Sequence, residues 1–158
     1  MANRAEQIRL IKAMQERLNR ESRSDLLRFT LATMPTFRPA DFHRRYYQCL
    51  TKFATGEIKK LMVFMPPQHG KSEGSTRRLP AFLLGQDPEK RLAIVSYNAP
   101  KARKFNREIQ RIIDTPEYHA IFPETCLNAS NVTTIAGSWL RNADECEIVG
   151  HRGGFKTV

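Results

Sequence analysis

Cysteine is scarce in this chain: three in 158 residues, Cys49, Cys126 and Cys146, with no Cys-x-x-Cys spacing. An odd, scattered set favours neither a disulfide framework nor a zinc site and reads as small buried hydrophobes. Long apolar runs are missing too. Nothing approaches the roughly 20 residues of a membrane span. The start, Met1-Ala-Asn-Arg4, leads into a charged segment rather than an apolar secretion signal. The product is therefore expected to stay in the cytoplasm, and Asn128-Ala-Ser130 and Asn131-Val-Thr133 carry no weight as glycosylation sequons. No internal repeat or low-complexity tract is present. Acids are few: 16 Asp and Glu against 26 Lys and Arg, a formal charge of +10. That excess favours a polyanionic partner, nucleic acid first, although many basic domains bind nothing in particular. Nor does any apolar run end in Asp-Asp or Asp-Glu; the nearest acidic pair, Asp144-Glu145, precedes such a run. With 41% hydrophobic and 27% charged residues, the composition is that of one soluble domain large enough for a real core.

The chain is organised around LMVFMPPQHGKS, Leu61 to Ser72. Five apolar residues without alternation, Leu61 to Met65, predict a strand buried on both faces of a parallel sheet. Pro66-Pro67 ends it, Gln68-His69-Gly70-Lys71-Ser72 follows, and a helix is expected over Glu73 to Leu84, kinked or broken at Pro80 and closed by Gly85. Strand, loop with Gly-Lys-Ser and helix start is the order of a phosphate-cradling P-loop. Gly70 lets the backbone approach a ligand, successive amides form an anion nest, Lys71 reaches the β- and γ-phosphates, and the Ser72 hydroxyl holds Mg²⁺. Met65 stands where the usual motif has its first glycine, and Pro66 and Pro67 lack N–H groups, so the nest must begin at Gln68. An ordinary turn with an exposed lysine is the other reading of Gly-Lys-Ser alone. Glu73 in the first helical turn suits the dipole but repels bound phosphate unless it points away.

Upstream, residues 3 to 20 predict an amphipathic helix with Ile8, Ile11, Met14 and Leu18 on one side and Arg4, Arg9, Lys12, Arg17 and Arg20 on the other. Ser22-Arg-Ser-Asp25 offers a capping box for a short helix to about Thr33. Pro35 and Pro39 enforce an extended link. A third helix, Asp41 to Thr55, ends at Gly56 and carries an apolar stripe of Phe42, Tyr46, Cys49, Leu50 and Phe53. Downstream, Arg91 to Val95 predicts a second buried strand that runs into the polar triplet Ser96-Tyr97-Asn98, where α/β proteins place ligands. Asn98 caps a helix with Ala102, Phe105, Ile109, Ile112 and Ile113 inward. Its outward side holds Lys101, Arg103, Lys104, Arg107 and Arg111, for which DNA contact and plain solvation both fit. Arg77 and Arg78 stand equally open between nucleotide, neighbouring subunit, DNA and solvent. Short β-like runs follow at Val132 to Ile135, Ser138 to Arg141 and Glu145 to Val149. Gly153-Gly154 then reads as a hairpin turn.

The stretch from Gly56 through the Gly-Lys-Ser loop to Ile113 resembles the N-terminal ATPase domain of tailed-bacteriophage terminase large subunits, over about residues 35 to 158. That family's Walker A loop is commonly of the Pro-Pro-x-His-Gly-Lys-Ser kind, without the leading glycine. The resemblance implies an α/β fold of the P-loop NTPase (RecA/ASCE) type, a mostly parallel sheet flanked by helices. Residues 1–56 would be a helical region packed on a partial ATPase domain, 57–158, that stops before Walker B and the nuclease. It implies ATP and Mg²⁺ as cofactors, held by Pro67, Gln68, His69, Gly70, Lys71, Ser72 and Glu73. Lys71 would be catalytic and Ser72 the metal ligand. Phe37, Phe42 and His43 would flank adenine, although an apolar stripe there is also simply core. The implied partners are double-stranded DNA, a portal protein, a small terminase subunit and further copies in a ring, in the host-cell cytoplasm and without a membrane. Terminases often carry a basic residue inside the loop where Gln68 and His69 stand here, so transition-state charge stabilisation has no assigned residue. The rival readings are another DNA-dependent NTPase, such as a helicase-like translocase, and a non-catalytic basic DNA- or partner-binding fragment.

Overall fold

The computed structural model describes residues 3–133 and 138–158. Helices dominate. In order they are α1 (Arg4–Ser24), α2 (Leu26–Thr33), α3 (Asp41–Ala54), a π-helical stretch (Glu73–Arg78) continuing into α4 (Leu79–Gln86), α5 (Ala99–Ile113) and α6 (Pro116–Ile121). Three short strands, β1 (Arg91–Ile94), β2 (Glu145–Glu147) and β3 (Gly154–Thr157), form one sheet in the order β1-β3-β2. β1 runs parallel to β3 in the register Arg91 to Gly154, and β2 is antiparallel to it. The predicted RecA-type fold, a mostly parallel sheet covered by helices, is therefore not the fold described: the sheet is small and mixed.

The reason lies in Leu61 to Met65. This segment is extended but unpaired; no backbone hydrogen bond involves Lys59 to Pro66 among the described residues. Its burial alternates: Leu61, Val63 and Met65 pack on the core, while Met62 and Phe64 are 80% and 85% exposed. The run is thus apolar on a face that nothing covers, and the prediction of a strand buried on both faces fails. β1 fails the same test, since Ile94 is buried but Val95 beyond it is exposed.

The core is made where helices meet. Phe29 of α2, Phe82 of α4, Tyr118 of α6 and Phe122 form a cluster with ring centroids 5.4–6.2 Å apart, mostly tilted or edge-on as ring quadrupoles prefer. The Tyr118 hydroxyl donates to the Ala81 carbonyl (2.9 Å). Pro80 does not break its helix. The turn before it widens to a π-helix closed by Leu79 N–H to Gly74 C=O, which accommodates the proline that an α-turn would exclude. Gly85, predicted to end this helix, lies inside it; a Cβ there would collide with the Phe122 ring. On α3 the inward stripe is Tyr46, Tyr47 and Leu50, whereas Cys49 is exposed and Phe42 is 43% exposed. Gly56, at φ +82°, follows the helix end as predicted.

α1 meets the body only near its C-terminal end, where Asn19 and Arg23 donate to the Ala120 and Ile121 carbonyls. Its apolar side, Ile8, Ile11, Met14 and Leu18, is exposed. Asp25, not Ser22, caps α2 by accepting the Arg28 amide (2.8 Å). The run predicted over Val132 to Ile135 falls partly outside the described residues, and Val132 makes an isolated bridge to Arg141. Gly153 and Gly154 do not form the predicted turn. They sit where backbones approach closely, against Pro88 and Cys146, and Gly150 (φ +83°) takes the turn position.

Tyr47 carries a testable consequence. It is 1% exposed, its hydroxyl makes no well-formed hydrogen bond among the described residues, and burial pushes its pKa up to about 12, outweighing the weak lowering by the neighbouring Thr30 hydroxyl. Between pH 10 and about 12 the unfolded chain releases that proton while the folded chain keeps it, so stability falls as pH rises through this window. Tyr47→Phe should be no less stable than wild type at pH 7, because it removes an unpaired buried donor. In urea unfolding at pH 11 it should retain more of its neutral-pH stability than wild type does.

Candidate phosphate-binding loop

Pro66 to Ser72 turns from the extended segment into a helix. Two left-handed residues make the turn: Gln68 at φ +64° and Gly70 at φ +76°. Only glycine adopts the second at no steric cost, and a side chain there would also press on His43 Nε2 at 3.2 Å. His69 bends back so that Nδ1 lies 2.7 Å from the Pro67 carbonyl. The first hydrogen bond into the helix runs from Gly74 N–H to Gly70 C=O (3.1 Å). The amides of Lys71, Ser72 and Glu73 thus have no backbone acceptor among the described residues, the usual state of a helix's first turn. Alternating left-handed residues followed by free amides make a concavity suited to an anion.

The loop is anchored from behind. Tyr46 of α3 donates its hydroxyl to the Lys71 carbonyl (2.7 Å), and Ser75 Oγ donates to the same oxygen (2.9 Å). Burial raises the Tyr46 pKa, so the donor keeps its proton. Gly74 is buried against Tyr46, which leaves no room for a Cβ between helix and ring. The Lys71 side chain is exposed and Ser72 is half-buried.

Glu73 is turned away from the loop. One carboxylate oxygen accepts from Arg77 Nη1 (3.0 Å), the other from Arg78 Nε (2.7 Å). Arg78, 8% exposed, also donates through Nη1 to Thr33 Oγ1 at the end of α2 (2.7 Å), and Arg77 reaches Glu108 on α5 (2.5 Å). The repulsion a first-turn carboxylate would exert on phosphate is thereby largely neutralised. The readings of Arg77 and Arg78 as free solvated cations fail, because both are committed to ion pairs.

The structure brings the adenine candidates beside the loop. Phe42 and His43 rings are 3.9 Å apart, Phe37 meets His43 edge-on at 5.2 Å, and Phe42 lies 5.8 Å from His69. His43 Nδ1 accepts the Ala40 amide (3.1 Å), so in the neutral ring Nε2 carries the proton and faces Gly70. The five α5 cations are all exposed but differ in their neighbours. Arg103 is paired with Asp144 (2.7 Å), Arg111 borders the Glu73–Arg77–Glu108 group, and Arg107 is exposed. Lys101 and Lys104 border a cleft shared with Ser72. Sequence reasoning named Tyr97 only as part of a polar triplet; its side chain proves 82% exposed, with the Lys101 ammonium 4.7 Å from the ring centroid. The anchoring role of Tyr46 left no sequence signal beyond its place on the apolar stripe.

Glu73→Gln distinguishes scaffold from site. It should lower stability by about 3 kcal/mol, the low end for a buried pair that loses one partner, because it leaves the buried Arg78 without its counter-charge. The affinity of the loop for an anionic nucleotide, read from a fluorescent ATP analogue under native conditions, should fall less than it does when Lys71 itself is removed, because Glu73 positions the amides without touching the phosphates. Comparison with known protein families, characterised proteins and solved structures finds no match for this chain.

Proposed function

We propose that the loop from Gln68 to Ser72 binds the phosphates of ATP, and that the chain is the N-terminal ATPase part of a bacteriophage terminase large subunit, a motor that packages double-stranded DNA. The observation that carries the proposal is the loop's backbone: left-handed Gln68 and Gly70, followed by free amides at the head of a helix and by an exposed Lys71. A phosphate needs that arrangement and does not need a large sheet behind it. The residue order Pro-Pro-Gln-His-Gly-Lys-Ser supports the terminase assignment within P-loop proteins.

The residues fit the nucleotide in kind. Lys71 supplies the mobile positive charge and the loop amides the fixed dipoles, while Phe42 and His43 offer aromatic faces beside the loop. Mg²⁺ would be held by the Ser72 hydroxyl together with phosphate oxygens and would neutralise charge there. Among the described residues no group of three His, Cys, Asp or Glu side chains is placed to hold a metal, so the protein would supply few of the ion's ligands. No described helix is long and apolar enough to cross a membrane. Portal protein, small subunit, further copies in a ring and a location in the host cytoplasm belong to the same proposal.

Binding of a fluorescent ATP analogue in Mg²⁺ buffer tests the site. Lys71→Ala should weaken it at least tenfold, and Gly70→Ala should do the same through strain at positive φ. Equal affinities for wild type and Lys71→Ala would defeat the assignment.

A further inference from the structure

Beside the loop, sharing Ser72 with it, lies a cleft of about 480 Å³ lined by Ser72, Arg77, Tyr97, Lys101, Lys104 and Phe105 among others. Among the described residues no carboxylate lines it. Arg77 contributes wall rather than free charge, since it is held by Glu73 and Glu108 and lies over the Phe105 ring (5.6 Å). The available cations are Lys101 and Lys104. Lys104 is weakly engaged, 4.0 Å from Glu108 with a 65% exposed side chain. Lys101 has no carboxylate partner among the described residues and sits over Tyr97 instead.

Tyr97 is the unusual member. Burial explains most large aromatic side chains, but this ring is 82% exposed at the carboxyl end of β1, directly before the Asn98 cap of α5. An ammonium covers one face, so the high exposure leaves the other open to solvent. An open aromatic face in one cleft with two lysines matches a planar base joined to a phosphate. Acidic peptides would use the lysines and ignore the ring. An intact duplex would present phosphates but keep its bases stacked.

We infer that this cleft grips an unpaired nucleotide of a nucleic-acid strand, the base stacked on Tyr97 and the backbone phosphate between Lys101 and Lys104. The inference rests on nucleic-acid binding as proposed above and departs from it in taking an unpaired nucleotide rather than an intact duplex. It narrows the five cations of α5 to two and adds an aromatic residue.

Fluorescence anisotropy with labelled single-stranded dT15 and a blunt 15-base-pair duplex, using the 158-residue chain, tests it. Tyr97→Ala should weaken dT15 binding about tenfold, within the range of one lost base stack, and Tyr97→Phe should restore it. The double variant Lys101→Gln, Lys104→Gln should lower the slope of log affinity against log salt by roughly 0.7 on dT15, the value for one lost phosphate contact. Duplex affinity should respond to the lysines and not to Tyr97→Ala. Unchanged dT15 affinity in Tyr97→Ala, or equal losses on dT15 and duplex, would overturn the inference. Lys71→Ala, run in parallel, separates the two proposals: it should weaken ATP-analogue binding at least tenfold and change dT15 affinity far less. A Tyr97 effect without any ATP-analogue binding would sink only the nucleotide site.

Discussion

Two guanidinium groups share one carboxylate at Glu73, and the position of the loop follows from that arrangement. Arg78 carries the connection inward to Thr33 at the end of α2, and Arg77 carries it outward to Glu108 on α5. The π-helical stretch that holds all three residues is thereby clamped between two helices that are distant in sequence. Arg78 is nearly fully buried, so its charge tolerates no loss of the partner. The pairing fixes where the helix begins, and with it where the amides of Lys71, Ser72 and Glu73 point. The widened π-turn belongs to the same constraint. It admits Pro80 and lets Glu73 meet side chains four and five residues on, both on one side of the helix.

From the loop's far side, Tyr46 fastens the Lys71 carbonyl and crowds Gly74, so a polar bond and a steric limit act at the same turn. Phosphate recognition by backbone depends on amides that are already aimed, because ordering them on binding would cost about 1–2 kcal/mol per residue. A loop held by Tyr46 on one side and by the Glu73 network on the other has met most of that cost in folding. The exposed lysine adds reach, and the side chains that look acidic in the sequence are turned away and neutralised.

Much of this was legible in the residues. Asn98 as cap, Pro100 in the first turn and the inward stripe from Ala102 to Ile113 follow from local hydrogen bonding and helical period, which tertiary packing seldom overrides. Gly56 and Gly70 were legible because a backbone at positive φ leaves few residue choices. The sheet was misread because an uninterrupted apolar run fits a strand covered on both sides, and sequence alone does not say whether the cover exists. Gly85 was misread for a related reason. A glycine near a helix end fits both a terminator and a gap for a neighbour, and only the position of Phe122, 37 residues further on, decides between them. The ion pair of Arg77 with Glu73 lies at i,i+4 helical spacing and was in principle readable; that of Arg78, five residues on, depends on the π-turn, and the links to Thr33 and Glu108 were not readable.

The alternation in Leu61 to Met65 explains how the loop is placed without a large sheet. The three inward residues pack against the core, and each apolar side chain withdrawn from water contributes on the order of 1–2 kcal/mol even when burial is partial. Three such anchors offset the entropy of holding a short extended segment that has no ladder hydrogen bonds among the described residues. Pro66 and Pro67 lower that entropy further, since their fixed φ restricts the unfolded chain as well. Met62 and Phe64 add nothing to this anchoring, because they face solvent. Placement of the loop therefore depends on Leu61, Val63 and Met65 before it and on Tyr46 and Glu73 after it. Sheet pairing enters the molecule only further along, at β1, where it sets the position of Tyr97.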